Sequence, residues 1–577
     1  MLNILEKIRD TRRASRRESN VLGAAALAAA LGLSAAPAHA NGRYPNAEQL
    51  REVSPGSLVV SGTYGLLVSG NSKDFEFVCE SALFGRTLMG SWVDPLLEVL
   101  PDGTLLSGSL NGLRVSRDAG CSFVSDWSLP HDPSFIPPDP NATGKLGTVV
   151  DLCPAYDTTH GVIALTSITQ SDGSTLEHQL YRTTDGAHTW ATYGAAIPTS
   201  MIRVVLTVDV APSDPTHIYV SGNLLGQSVL VSSVDSGATW TPHALTIDDS
   251  PDVDGLYIAA VSPTDPERVY LRVNRQSQAD DGSTTWDDSL LVSDDGGATA
   301  NDVLRQQAAL LGFALSPDGK TVLAGYGDPV VAPTVVDDDA VGLYAATSDA
   351  LTFTQKIPAF YVSCLRWESD GLYACAKESD PLSMNPSLND FHVGVSKGTN
   401  VPTSLSDFTA LVKLKDVRGP LPLASGMPSS CETEWTTGDP NSPGQASVCA
   451  TLNACPGDAG VVPLSSGAIV CGATDGDAGV LSSGGNASSA GSTAQGGAPA
   501  SASGGNTGAA VVSAGGTALA PAGKSASASG CSCRVERAPL AAGRMWLALL
   551  AATLVFGWRL ENRTGSKRRR RRIRPGV

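Results

Sequence analysis

The chain has 577 residues, with 40 basic and 57 acidic side chains, 60 glycines, 11 cysteines and 6% aromatic residues. That is too long for one ordinary domain, and the composition suits turn-rich β-structure with a low-complexity portion. Residues 1–40 hold 6 basic and 3 acidic groups and 531–577 hold 12 and 2, which leaves 22 basic and 52 acidic groups, a net of −30, on 41–530; so acidic a body repels nucleic acid and anionic membrane, which counts against DNA or RNA as partners.

Residues 1–40 read as a secretory signal. Lys7, Arg9, Arg12, Arg13, Arg16 and Arg17 precede an Ala-rich apolar run, Val21–Leu33, and Ala38-His39-Ala40 forms a small-residue cleavage site. A membrane anchor is the rival reading, but the run is short and ends in small residues. Export leads to an oxidising compartment, where cysteines pair.

The body, 41–425, is built from a recurring unit. The stretch Ser233-Val234-Asp235-Ser236-Gly237-Ala238-Thr239-Trp240 is echoed at Ser116–Phe123 around Asp118, and at Ser293–Thr299 around Asp295. It is echoed again at Thr183–Trp190 around Asp185, with Ala187 in the glycine position. Shortened copies stand at Ser69-Gly70-Asn71 and at Thr347-Ser348-Asp349, and an eroded one at Ser396-Lys397-Gly398. The third positions fall at 71, 118, 185, 235, 295, 349 and 398. Such spacings suit one four-stranded propeller blade per unit. An apolar, strand-like run precedes each copy. Further upstream lies a Pro/Asp/Gly turn followed by a second strand, for example Pro101-Asp102-Gly103 and Pro317-Asp318-Gly319. Two signals in one phase, seven times each, predict an all-β, seven-bladed β-propeller, with six or eight blades as alternatives because the end units are the most degenerate. Radial packing leaves only short strand edges, so the propeller is expected to be a monomer. A strand candidate exists before unit one and another ends unit seven, so closure by strand exchange is not demanded.

The octapeptide resembles the Asp-box (BNR) repeat of sialidase-like β-propellers. Its composition has a local reason. The Ser/Thr and Asp side chains bond backbone groups of a hairpin turn, Gly takes a left-handed angle, and the terminal aromatic (Phe123, Trp190, Trp240) buries between sheets. By that likeness Asp118, Asp185, Asp235, Asp295 and Asp349 are structural and lie away from any active face. Sialidases sharing the box use an arginine triad and a tyrosine nucleophile, but the Arg-Ile-Pro segment ahead of their first box is missing here. Propeller glycosidases of the xyloglucanase type use paired loop aspartates. Asp209, Asp252, Asp254, Asp280, Asp281 and Asp337–Asp339 are the loop-acid candidates; solvated acidic loops are the stronger reading of them. The same holds for calcium at Asp337–Asp339, where no ligand spacing is complete. No catalytic residue, metal or cofactor is assigned.

Cys364 and Cys375 lie equidistant from the centre of a two-residue turn at Ser369-Asp370, which suits a cross-strand disulfide. Cys431, Cys449, Cys455 and Cys471 read as a small stapled appendage over 426–471, not a metal site, since no histidine lies near them. Cys79, Cys121 and Cys153 make an odd set, so one of the nine is left over or one pairing is misassigned.

Residues 472–530 are almost all Gly, Ala, Ser and Thr and form a flexible tether. A coil of about 60 residues spans about 40–45 Å. Then come Cys531-Ser532-Cys533, an apolar run Met545–Trp558 and the cluster Lys567–Arg572. The apolar run reaches membrane-spanning length only with Ala538–Gly543 included, and the arginine cluster stays cytoplasmic. This tail, 531–577, resembles the MYXO-CTERM sorting signal of myxobacterial exported proteins. The resemblance implies processing or lipid attachment at Cys531 or Cys533 and delivery to the cell surface. Two functions remain. One is a surface-displayed propeller binding an extracellular glycan or protein. The alternative is a divergent propeller glycoside hydrolase.

Overall fold

The computed structural model describes residues 45–84, 96–131, 147–169, 175–278, 284–328, 334–378, 389–421, 430–437, 447–452, 454, 469 and 471, apart from 110–111, 159, 246, 248–252, 336 and 369 inside those ranges. The signal segment, the tether, Cys531, Cys533 and the C-terminal apolar run lie outside the described residues. Among the described residues no helix is long and apolar enough to cross a membrane.

Seven antiparallel sheets form seven blades of a β-propeller. Blade one holds β1 Ala47–Ser54, β2 Ser57–Gly62, β3 Gly65–Ser69 and β4 Glu76–Val78, followed by the short helix α1 Glu80–Phe84. Blade two holds β5 Leu96–Val99, β6 Leu105–Ser109, β7 Gly112–Ser116 and β8 Val124–Asp126. Blade three holds β9 Gly147–Pro154, β10 Val162–Thr169, β11 Thr175–Thr183 and β12 Ala191–Pro198. Blade four holds β13 Val204–Val210, β14 Ile218–Leu224, β15 Gln227–Ser233 and β16 Thr241–Ala244. Blade five holds β17 Val253–Val261, β18 Val269–Gln278, β19 Thr284–Trp286, β20 Asp288–Ser293 and β21 Asn301–Gln306. Blade six holds β22 Ala309–Leu315, β23 Thr321–Gly327, β25 Gly342–Thr347 and β26 Thr354–Pro358, while β24 Thr334–Val335, between β23 and β25 in the chain, joins the sheet of blade five. Blade seven holds β27 Val362–Glu368, β28 Gly371–Ala376, β29 Val393–Lys397 and β30 Thr409–Val412. A last strand, β31 Arg418–Pro420, pairs parallel with β4, and the helices α2 Ser430–Thr437 and α3 Val448–Thr451 follow.

Both faces of most strands are buried, which is why the strand runs read as continuous Val/Leu/Ala stretches. The core is divided among the gaps between neighbouring sheets. Leu165 and Leu180 of blade three pack with Val208, Val220 and Trp240 of blade four. Tyr270 and Leu290 of blade five pack with Phe313 and Tyr326 of blade six. Each fully buried Leu or Val contributes about 1.5–3 kcal/mol to such an interface.

The box turns share one construction. In the copies at Asp118, Asp185, Asp235 and Asp295, the first-position hydroxyl donates to the aspartate at 2.8–2.9 Å. The seventh-position amide donates to the same carboxylate at 2.8–2.9 Å. The fifth-position amide donates back to the first hydroxyl, as Gly237 does to Ser233 Oγ at 2.8 Å. The turn needs two successive left-handed residues where the composition suggests one. Ser236 has φ 61° and Gly237 φ 80°, and Ala187 takes φ 59° in the copy without the glycine. Blade six differs: Leu351 N donates to Thr347 O at 2.9 Å and Leu351 takes φ 49°, so Asp349 sits in a shorter turn. The aromatics reach the preceding blade. Trp240 Nε1 donates to Ala195 O and Trp190 Nε1 to Asp126 Oδ2, both at 2.9 Å, and Phe123 is buried.

Cys364 and Cys375 are register partners and are bonded. The appendage is stapled, as expected, and two of its bonds reach the propeller. Cys431 is bonded to Cys79 beside blade one, and Cys471 to Cys121 in the box of blade two. An eight-residue helix has too little apolar surface for a core of its own, so α2 borrows one by packing Trp435 against Phe77 at 5.3 Å between ring centroids. Cys449 is also in a disulfide, and Cys153 stays a buried thiol.

Candidate functional site

The boxes and the turns between the first and second strands of each blade lie on one face. Backbone bonds join them within a blade, as from Ser236 N to Thr216 O (3.0 Å), Gly296 N to Glu267 O (2.9 Å) and Gly398 N to Asp370 O (2.9 Å). The non-repeating connections therefore gather on the opposite, loop face. There β19 folds back on β18 and pairs parallel with β24, so the outer loops of blades five and six form one small sheet.

Beneath that face the inner strands carry polar side chains that reach across blade junctions. Gln49 Oε1 accepts from Leu97 N (2.9 Å), Asp151 Oδ2 from Val208 N (2.8 Å) and Thr207 Oγ1 from Ile258 N (2.9 Å). Asp209 Oδ2 accepts from Val261 N (3.2 Å), and Glu368 Oε1 from Glu52 N (3.4 Å) while pairing with Arg366. Arg51 pairs with Glu98 at 3.3 Å. These side chains satisfy amides at the free edge of the neighbouring inner strand.

The junction of blades five and six has the densest polar cluster. Asp288 Oδ2 accepts from Arg272 Nη2 (3.0 Å), Arg272 Nε (3.2 Å) and Leu310 N (2.9 Å), and Tyr326 Oη donates to Asp288 O (3.3 Å). Arg272 lies over the Tyr257 ring at 5.5 Å. Burial pushes the Asp288 carboxyl up to about 6 against the pull of Arg272. Arg275 Nη1 donates to Ser289 Oγ (2.7 Å), which donates to Asp302.

The loop side of blades six, seven and one holds a second group. Lys377 Nζ donates to Asp328 Oδ2 (2.5 Å), and Tyr361 Oη to Asp338 Oδ1 (2.9 Å). Glu378 accepts from Leu414 N (2.7 Å). Tyr64 Oη and His392 Nε2 lie 2.9 Å apart, both buried. Burial holds the His392 imidazole down at about 3 and pushes the Tyr64 hydroxyl far up, aided by Glu48.

Of the loop-acid candidates, Asp209 is fully buried and committed to backbone amides. Asp337–Asp339 are exposed, with Asp337 accepting from Asp339 N at 3.1 Å. Asp254 lies on β17, and Asp252, Asp280 and Asp281 fall outside the described residues. Among the described residues no three His, Cys, Asp or Glu side chains converge as metal ligands. Sequence reasoning passed over Arg272–Asp288 and Tyr64–His392. A charged residue at a buried position of Val-Tyr-Leu-Arg-Val was the available signal for the first; the second joins residues 328 positions apart, with no local signal.

No protein-family profile and no curated protein matches the chain. Solved structures do match. The GH74 enzyme of Niastella koreensis is 15% identical with a TM-score of 0.33, over 48% of this chain and 39% of that one. An ancestral GH74 enzyme is 15% identical with a TM-score of 0.38, over 64% and 47%. A protein of unknown function from Dyadobacter fermentans is 17% identical with a TM-score of 0.34, over 54% and 96%. The chain thus spans less than half the length of either GH74 enzyme.

Proposed function

We propose that this protein is an exported, surface-anchored propeller that binds an extracellular glycan or protein through its loop face. One observation supports binding over turnover. Glu98, Asp151, Asp209 and Glu368 on inner strands, and Asp288 on β20, are each engaged by backbone amides or arginines, an arrangement that locks blades together. A general acid or nucleophile needs a carboxylate that meets substrate. The disulfides Cys79–Cys431, Cys121–Cys471 and Cys364–Cys375 suit an oxidising, extracytoplasmic site. On this reading the octapeptides are Asp-box staples, and the tail is a MYXO-CTERM-type anchor processed near Cys531 or Cys533.

A divergent glycoside hydrolase is the second reading, favoured by the exposed Asp337–Asp339 run beside Tyr361. One experiment separates the two. The purified chain is titrated against a panel of soluble polysaccharides and assayed in parallel for reducing-end release. Saturable binding without release supports the binding module. Release that is lost on changing one loop carboxylate overturns it in favour of the hydrolase. Anchoring is tested apart: Cys531→Ser with Cys533→Ser should release or mislocalise the protein, and unchanged surface display refutes the anchor.

A further inference from the structure

The two ends of the propeller do not share a blade. The four antiparallel strands of blade one come from 47–78 and those of blade seven from 362–412. Their interface holds side-chain links, Tyr64 with His392 and Glu368 with the Glu52 amide, and apolar packing that joins Leu50 and Val60 to Tyr373 and Val393. What passes from blade seven to blade one is the chain after β30. Arg418 N donates to Phe75 O (2.9 Å) and Leu421 N to Phe77 O (2.8 Å), so β31 becomes a fifth strand on the outer edge of blade one. The helix α2 then lays Trp435 on Phe77, and the two disulfides join Cys431 to Cys79 and Cys471 to Cys121.

We infer that the appendage is a covalent clasp that closes the ring in place of strand exchange and sends any pull on the C-terminal chain into blade two. The two bonds bridge sequence separations of 352 and 350 residues, nearly the whole propeller. Opening the ring between blades seven and one carries β31 and α2 away from blade one, and each disulfide forbids that movement. Cross-links of such long loops restrict the open and unfolded chain most. Cys471 is also the last residue before the Gly/Ala/Ser tether. A pull on the tether therefore passes through sulfur to Cys121, in a box turn where Ser122 N and Oγ both bond Asp118. Without the bonds the same pull reaches a three-residue parallel strand and then β30, an outer edge strand whose hydrogen bonds are loaded one after another. The closure inference goes beyond the binding reading. Its load-bearing half rests on the anchor proposed above, and measurements on purified protein separate the two.

The test is native-state hydrogen exchange on the oxidised full chain, on a variant with Cys79, Cys121, Cys431 and Cys471 all changed to Ser, and on a Cys364→Ser/Cys375→Ser control. The clasp predicts that amides of β1–β3, β29 and β30 exchange at least ten-fold faster in the four-serine variant, and by a larger factor than those of blade four, while in the control β1–β3 stay like the parent. Equal protection of blades one and seven in parent and variant overturns it. If the variant does not fold, the folded parent reduced with a phosphine is measured instead and judged by the same amides. In an optical trap with handles at residues 45 and 577, the oxidised chain should lack about 1,200 Å of contour length, some 350 residues at about 3.4 Å each. After reduction that length should appear, starting with the appendage and blade seven. A reduced ring that opens in one step, with no early opening at blade seven, refutes the load path.

Discussion

Removing the Asp288 carboxylate tests whether inner polar groups lock the blades. Asp288 and Arg272 expose 0% and 1% of their side chains, and Asp288 also accepts from Leu310 N in the next blade. In Asp288→Ala the Arg272 guanidinium is stranded in the core, which costs about 3–5 kcal/mol. The orphaned Leu310 amide adds about 1–3 kcal/mol. Both losses pass through one carboxylate and do not add fully, so the expected destabilisation is about 5 kcal/mol. With a urea slope near 3 kcal/mol/M, the unfolding midpoint falls by about 1.5 M. The charge-free pair Arg272→Met/Asp288→Leu leaves only the Leu310 and Arg275 amides unsatisfied and should cost about 3 kcal/mol. Tryptophan fluorescence in urea at pH 8, above the raised Asp288 range, reads both. A single variant within about 0.5 M of the parent, or a double variant no more stable than the single, refutes the reasoning.

Trp240→Ala should cost about 3–5 kcal/mol, because the indole is buried against blade three; Trp240→Phe, which loses the bond to Ala195 O, should cost about 1 kcal/mol in the same urea assay. The Thr239 amide and hydroxyl, then Ser233 Oγ, hold the Asp235 carboxyl below the usual carboxylate range. Its stabilising effect is therefore full above about pH 4 and is lost as the pH falls through the depressed value. Asp235→Asn should flatten the acid limb of a melting-temperature profile, and an unchanged limb counts against the turn's role. Glu76 behaves oppositely. Burial, opposed by Arg418, pushes its carboxyl up to about 7, so stability falls as the pH rises from about 4.5 to about 7. Glu76→Gln should remove that slope, most visibly in the exchange rates of β31, which pairs with β4 at Glu76.

The blade count was legible because its signals are local. Every bond inside a box spans two to four residues, as from Ser233 to Asp235 and from Thr239 to Asp235. Composition within one turn therefore determines the turn, and seven turns in phase determine the propeller. The cross-strand pair Cys364–Cys375, 11 residues apart, was readable for the same reason. The second left-handed residue was not, since Ala119, Gly186, Ser236 and Gly296 have no common side-chain signature. Only the tertiary structure decided what the distant pieces do. It bonded Cys431 and Cys471 to Cys79 and Cys121, partners that spacing alone did not give. It turned Asp209 from a loop-acid candidate into a buried acceptor for Val261. It brought Tyr64 to His392 and Arg272 to the edge of blade six. Closing a ring sets residues side by side that the chain separates by hundreds of positions, and a pattern read within a few residues carries no trace of that contact.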